Sequence, residues 1–498
     1  MLATISSATM LGVTGHPVRV EVHVANGLPA FNVVGQPDTS CREARDRARA
    51  AIVSCKLTWP QARITVNLAP SALPKVGAHL DLAMALGILA ASDQVPVGAL
   101  DGVGVLGELG LDGSVRRLVG AVPLVDAVVG SRLILPISSA VEALVVGAHE
   151  VLPAFDLAGV AACLRGETAW PRPPTVRPVP DLPVVPDLAD VQGQPVARLA
   201  LEVAAAGAHN LLLIGPPGAG KTMLAQRLPG ILPPLDAANA LETTRIHSAA
   251  GLTLPPDGLI RHPPYRAPHH GASAVAMVGG GSATLRPGEI SLATNGVLFL
   301  DELAEFPASV LDALRQPLEE GVIRVSRALA SAALPARFLL VGAMNPCPCG
   351  DGRGTHCRCS EAQRARYRRR LSGPLADRFD LRLEVGVPAV DDLLTAERAE
   401  TSEVVAVRVA AARQRAWERG YRCNADMPAS ELDRFGPLDG DATMALERAL
   451  SDGALSARGM HRLRRVALTL ADLDGRTGVS RTDIVSALSM RASLAVMV

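Results

Sequence analysis

The 498-residue chain is 48% hydrophobic, 20% charged and 3% aromatic, a globular composition long enough for about three domains. Lys+Arg and Asp+Glu both number 49, so no global charge draws the chain to nucleic acid or to a membrane, and such a partner has to be met by a local patch. Eight cysteines are too few and too clustered for a secreted disulfide scaffold, and no basic start leads into an apolar run at the N-terminus, so a cytoplasmic protein is expected.

Residues 1–165 alternate β-type runs (Val18–Val24, Ile64–Leu68, Leu133–Leu135) with helical stretches (Cys41–Cys55, Asp81–Ala91), which predicts a mixed α/β domain. Residues 166–190 carry prolines at 171, 173, 174, 178, 180, 183 and 186. Proline fixes its own backbone and disfavours helix at the residue before it, so this stretch reads as a semi-rigid linker. Residues 191–390 give strands at Leu211–Ile214, Val297–Leu300 and Phe338–Val341, with helices at Lys221–Leu228 and Ser309–Glu320. Short, wholly apolar strands suit a parallel sheet covered on both faces. The uncharged run Val203–Gly220 is 18 residues long, enough to raise a membrane span, but Pro216, Pro217 and four glycines make it a buried strand and a loop. Residues 391–498 read as a helical lid, with helices at Val404–Arg419, Asp441–Ser451, Ala457–Leu473 and Arg481–Leu488.

The chemistry concentrates between the strands. Gly215, Pro216, Pro217, Gly218, Ala219, Gly220, Lys221 and Thr222, running into Met223, match the phosphate-loop pattern GxxxxGK[ST]. Glycines let backbone amides face inward around phosphates, and the helix that follows adds its positive end. Lys221 is suited to the β- and γ-phosphates of ATP and Thr222 to Mg²⁺. Only Lys56, Lys75 and Lys221 are lysines among 49 basic residues, which singles Lys221 out in an arginine-biased chain. Downstream, Val297-Leu-Phe-Leu ends in Asp301 and Glu302. After a phosphate loop, the first carboxylate is placed to hold Mg²⁺ and the second to polarise the attacking water. Asn345 closes the next strand and can orient that water, or can be an ordinary turn residue before Pro346.

Cys347, Cys349, Cys357 and Cys359 form a CxC-x₇-CxC pattern that can close around one tetrahedral Zn²⁺, with His356 able to compete as a ligand. The alternative is four reduced thiols in a loop. Closed by four thiolates, such a site has no open position for catalysis. The run Arg364-Ala-Arg-Tyr-Arg-Arg-Arg370 supplies the local basic patch that the neutral chain otherwise lacks, fitted either to a phosphate backbone or to salt bridges between subunits.

Together, Tyr265-Arg-Ala-Pro-His-His270, Val278-Gly-Gly-Gly-Ser282, Arg286-Pro-Gly-Glu-Ile-Ser-Leu292, Asn345-Pro-Cys-Pro-Cys-Gly350 and Ser372-Gly-Pro-Leu-Ala-Asp-Arg-Phe-Asp380 resemble the magnesium-chelatase-like AAA+ ATPases of the ComM/YifB family. The resemblance covers nearly the whole chain. It implies a ring, expected to be hexameric, with ATP held between subunits. Arg378 then falls where the family places its arginine finger, and Arg458 where the lid's sensor arginine sits, with Arg462 as the fallback. Residues 255–290, between the phosphate loop and Asp301, and Val322–Pro335 look like the pore-side hairpins of this branch, which would turn Arg324 and Arg327 to the channel. The N-terminal unit resembles the Lon-protease-like domain of this family, but His79 falls at the serine position and Val122 at the lysine position, so proteolysis is not expected. The resemblance implies ATP hydrolysis coupled to movement on single-stranded or branched DNA during recombination of incoming DNA. The rivals are a motor subunit of a metal-chelatase-type complex and a regulatory ring that binds nucleotide without turnover.

Overall fold

The computed structural model describes residues 1–176, 185–281, 285–326, 331–351, 357–371, 373–389, 391, 399–453 and 455–491. Its first unit is built on a seven-stranded sheet in the order Ala30–Val34, Arg63–Ala69, Thr14–Ala25, Leu2–Leu11, Val103–Val105, Arg132–Pro136, Glu150–Ala154. Leu2–Leu11 and Thr14–Ala25 form a long antiparallel hairpin closed at Gly12-Val13; Arg63–Ala69 pairs antiparallel with its second strand, and the remaining neighbours in the sheet pair in parallel. The predicted strands sit inside longer ones. The predicted helix Asp81–Ala91 is present with the same bounds and is buried along its whole length, between the hairpin and the helix Thr39–Ser54.

The second unit carries a five-stranded, all-parallel sheet in the order Tyr265–Arg266, Val297–Leu300, Leu339–Met344, Leu211–Ile214, Leu381–Glu384. Every residue of Leu211–Ile214 and Val297–Leu300 is buried, as apolar strands covered on both faces must be. Four longer helices follow, Ser402–Glu418, Gly440–Ser451, Ala457–Leu473 and Arg481–Ser489. Their apolar sides share one core with the helix Pro195–Gly207 and the sheet, so the helical region is packed onto the α/β core. The single helix expected over Ser309–Glu320 is instead two, Ala308–Ala313 and Arg315–Glu320. Pro317 has no N–H to offer the carbonyl four residues back, at Ala313, and the helix breaks there.

The two units touch. The Gly120 amide donates to Ser248 O at 3.0 Å, the Val122 amide donates to Ser248 Oγ at 3.2 Å, and that hydroxyl donates to Glu142 Oε2 at 3.0 Å. Arg245 adds an ion pair to Asp126 across the joint at 2.7 Å, and Arg117 pairs with Glu142 within the first unit at 3.0 Å. The hairpin turn at Val13 is buried with Ile290, Ile323 and Leu334 of the second unit. Of the linker, residues 177–184 lie outside the described residues; Trp170 at its start packs on the N-terminal core and Asp187 near its end hydrogen-bonds the Ser402 amide at 2.9 Å. Among the described residues no helix is long and apolar enough to cross a membrane.

Candidate active site

The buried strand Leu211–Ile214 runs into Gly215 and the loop, and Lys221 opens the helix Lys221–Arg227. Gly218 and Gly220 stand at φ +80° and +84°, in the left-handed region that costs a side chain energy, and nothing lies within 4 Å of where their Cβ atoms would be. The loop therefore keeps an open concave face. Lys221 Nζ donates to Gly215 O (2.7 Å), Pro216 O (2.9 Å) and Asn345 Oδ1 (3.1 Å). Burial holds its pKa below the ordinary lysine range, against the opposing pull of Asp301. Thr222 Oγ1 donates to Asp301 Oδ2 at 2.7 Å, and the Glu302 amide donates to Asp301 Oδ1 at 2.9 Å.

Lys221, Asp301 and Asn345 thus meet outside the carboxyl ends of three adjacent parallel strands. The strand before the loop has Leu339–Met344 on one side and the late strand Leu381–Glu384 on the other, so the strand order reverses there. That crevice is where open α/β sheets bind ligands. The Thr222–Asp301 pair offers a hydroxyl and a carboxylate side by side, a donor set that fits Mg²⁺.

The four cysteines gather beside this crevice. Their sulfurs all lie within 4.8 Å of one another, with Cys347–Cys349, Cys347–Cys357 and Cys349–Cys357 at 3.2, 3.7 and 3.6 Å. Zinc bonded tetrahedrally to sulfur at about 2.3 Å separates its ligands by about 3.8 Å, so the set fits the ion. The Asp351 amide, the Cys347 thiol and the Arg358 amide hydrogen-bond Cys349 and pull its pKa down to about 6, while desolvation pushes Cys359 up to about 12. His356 lies outside the described residues. Gly350, at φ +92°, lies against the phosphate loop: a Cβ there would come within 2.7 Å of Pro217 Cδ. Behind the knob, Tyr367 of the capped helix Glu361–Arg368 is buried, which pushes its pKa up to about 12, and its oxygen accepts the Asn345 amide.

Arg378 stands at the other end of the sheet. Its carbonyl accepts from Asn210 Nδ2 at 3.0 Å, and the Asp380 amide donates to Asn210 O at 3.0 Å, which fixes it at the start of the strand whose far end carries the phosphate loop. Four strand residues span about 13 Å. The guanidinium pairs with Glu319 in a groove of about 1100 Å³ that Asn210, Leu339, Arg462 and Trp417 also line. Burial, then the charges of Arg462, Arg458 and Arg315, hold its pKa below the usual arginine range. Arg462 is tied to Asp380 at 3.2 Å, and Arg458 is exposed in the first turn of Ala457–Leu473. Arg315 and Glu319 carried no signal in the sequence; they reach Arg378 through the short second helix that Pro317 creates.

Of the arginine run, Arg364 is half-buried, Arg366 and Arg369 are exposed, and Arg370 pairs with Glu305 at 2.7 Å and Ala304 O at 3.0 Å. Val322–Ser326 and Ser331–Pro335 form the expected hairpin, with Arg324 exposed and 3.5 Å from Glu320; Arg327 and Ser282 lie outside the described residues, as does Ser372. In the first unit, burial pushes His79 down to about 4, and Val122 is wholly buried. A neutral buried imidazole and a valine supply neither a serine-type nucleophile nor a lysine base.

The sequence matches the family model of magnesium chelatase subunit ChlI over residues 187–393, with flanking matches to the models of subunit ChlI over 20–138 and its C-terminal region over 399–491. It is 44% identical to the uncharacterised protein YifB of Escherichia coli and 44% identical to the competence protein ComM of Haemophilus influenzae, in each case over 99% of this chain and 97% of the relative. The magnesium-chelatase 38 kDa subunit of Rhodobacter capsulatus is 30% identical over 33% of this chain and 51% of its own.

Proposed function

The chain belongs to the magnesium-chelatase-like AAA+ ATPases of the ComM/YifB family, and from that premise we propose that it is a ring-forming motor, hexameric, that hydrolyses ATP to move along single-stranded or branched DNA in recombination of incoming DNA. The observation that carries the hydrolase part is the convergence of Lys221, Thr222, Asp301 and Asn345 at the ends of three adjacent strands.

ATP seats its phosphates over the open face of the loop. Lys221 exchanges its two carbonyl partners for phosphate oxygens, a charge-assisted contact, while Asn345 keeps hold of the ammonium. Thr222 and Asp301 would hold Mg²⁺, which supplies neutralisation of the phosphate charge. Glu302 takes a proton from the attacking water; the new O–P bond forms at the γ-phosphorus, and the bond to the bridging oxygen breaks to leave ADP and phosphate. Arg378, about 13 Å of strand away from its own loop, serves the site of the next subunit, with Arg458 and Arg462 beside it. The four cysteines would hold a structural Zn²⁺ that fixes the knob against Pro217.

The motor part is supported by exposed Arg366 and Arg369 in the arginine run and by a relative named as a competence protein. A chelatase-type motor is the second reading, favoured by the partial match to the Rhodobacter subunit. Steady-state ATPase with and without single-stranded and branched DNA, with Lys221→Ala as the blank, separates them. Stimulation by DNA supports the motor. A robust ATPase indifferent to every DNA overturns it and brings the chelatase-type reading forward. Arg366→Ala with Arg368→Ala and Arg369→Ala then tests the patch: DNA stimulation is lost if it contacts DNA, and unaltered stimulation assigns it to structure.

A further inference from the structure

The residues Gly207-Ala208-His209-Asn210 join the helix Pro195–Gly207 to the strand that feeds the phosphate loop. Asn210 holds the Arg378 carbonyl. His209 beside it is wholly buried and has no part in the chemistry above. A buried imidazole needs partners for its ring nitrogens, and here they face opposite ways. Nδ1 lies 3.4 Å from Asp380 Oδ2, and since a carboxylate can only accept, that nitrogen carries a proton. Nε2 lies 2.8 Å from Thr469 Oγ1, on the helix Ala457–Leu473.

Both partners are themselves tied. Asp380 takes Arg462 on its other oxygen at 3.2 Å. Burial would raise its carboxyl, but His209, then Arg462 and Arg491, hold it below the usual range. On the other side, Asn424 Nδ2 donates to the buried Thr469 hydroxyl at 3.1 Å and to Asp472 Oδ2 at 2.8 Å, and Arg419 pairs with Asp472 at 2.7 Å. Gly207 keeps the way between them clear. It does not stand in the left-handed region, but a Cβ on it would collide with His209 Nε2 and Thr469 Oγ1, so space is what calls for glycine there. With the Arg378 carbonyl held by Asn210 and the Asp380 side chain by His209, the turn that carries the guanidinium is pinned on both sides of buried Phe379.

We infer that His209 is a positioning residue: braced on Thr469 of the helix Ala457–Leu473, it holds Asp380 and so sets the Arg378 guanidinium for the phosphate loop of the next subunit. This deepens the ATPase reading and rests on its placing of Arg378 in the neighbour's site. A group that stabilises transition-state charge has to be in place when the charge develops, and a shift of about 1 Å at its root costs about 10²-fold in rate. The loop of the same subunit lies at the far end of the strand, outside this line of bonds. Loss of His209 is therefore felt in the neighbour's turnover and not in the subunit's own ATP affinity.

The test uses full chains with ATP and Mg²⁺ and reads phosphate release. His209→Gln keeps an amide at about the Nε2 position and gives up the bond to Asp380. Thr469→Val removes only the hydroxyl, and Thr469→Ser restores it. His209→Gln and Thr469→Val are expected to lower kcat about ten-fold or more, with KM for ATP within about two-fold, and Thr469→Ser to behave as wild type. Mixed in equal amounts with Lys221→Ala, which brings a sound Arg378, either variant is expected to reach about a quarter of wild type, the share of interfaces that join its loop to the sound arginine. Mixed with Arg378→Ala, it is expected to gain nothing, since neither parent then brings a sound finger. Recovery with Arg378→Ala, or an unchanged kcat in both variants, overturns the inference and leaves the ATPase reading standing. If Lys221→Ala and Arg378→Ala do not recover each other, the shared site falls and the inference with it. Should His209→Gln fail to assemble on a sizing column, Thr469→Val decides by the same outcomes.

Discussion

In the ring proposed above, Arg378 at one end of a strand and the phosphate loop at the other act on different nucleotides. Arg378→Ala alone is expected to lower kcat by 10³–10⁵-fold, the usual worth of an arginine finger, and Lys221→Ala alone to abolish turnover. When the two variants are mixed in equal amounts before assembly, each site in a head-to-tail ring draws Lys221 from one subunit and Arg378 from the next. Half the subunits carry each group, so about one quarter of the interfaces are complete whatever the ring size. Activity of the mixture, measured by phosphate release and compared with each variant alone, is therefore expected to return to about a quarter of wild type. The about 13 Å of strand between Asn210 and Gly215 is what forbids the same recovery within one chain. Mixed assemblies that form on a sizing column yet stay as inactive as their parents would refute the reasoning.

Elemental analysis of the dialysed protein is expected to find one zinc per chain, lost in Cys347→Ser together with Cys359→Ser; a metal-free wild type of full activity counts against the site. Because the knob lies on Pro217, chelation of that zinc is expected to raise KM for ATP. His79 is held near 4 when folded against 6.5 unfolded, so it binds its proton in the unfolded state first. Stability is then complete above about pH 6.5 and falls as the pH drops towards 4, by up to about 1.4 kcal/mol per unit. Asp81, raised to about 6 chiefly by burial, works in the opposite sense over part of that range, so the readout is the difference between wild type and His79→Gln in urea melts at pH 7 and 5. Ser248→Ala leaves the Val122 amide and one Glu142 oxygen unmatched between the units, at about 1–3 kcal/mol for each buried group. Faster limited proteolysis between the units, at unchanged ATP affinity, is the expected sign; a cleavage rate equal to wild type says that the joint does not depend on this hydroxyl.

The candidate nucleotide site was legible in the sequence because its parts are local: an apolar strand, a glycine loop, a lysine, then a second apolar strand ending in carboxylates. Leu2–Leu11 was not, because Ser6, Ser7 and Thr9 hide its apolar alternation. Buried Ser7 is satisfied by a bond to Val105 O at 2.7 Å, which no reading along the chain foretells. The break at Pro317 was readable in principle from the missing N–H, but an otherwise good helical pattern outweighed it. The His209–Asp380 contact and the gathering of Arg315, Arg458 and Arg462 around Arg378 are products of tertiary packing and leave no spacing to find.

Strand Leu211–Ile214 is a short, fully buried rod, hydrogen-bonded to a neighbour on each side. A close-packed interior of this kind compresses little, so it moves as a unit or not at all. Any displacement that phosphate binding or release imposes at Gly215 is transmitted lengthwise to Asn210, and through Asn210 to the carbonyl of Arg378. In the ring proposed above, the state of one site would thereby bear on the position of the arginine lent to the next.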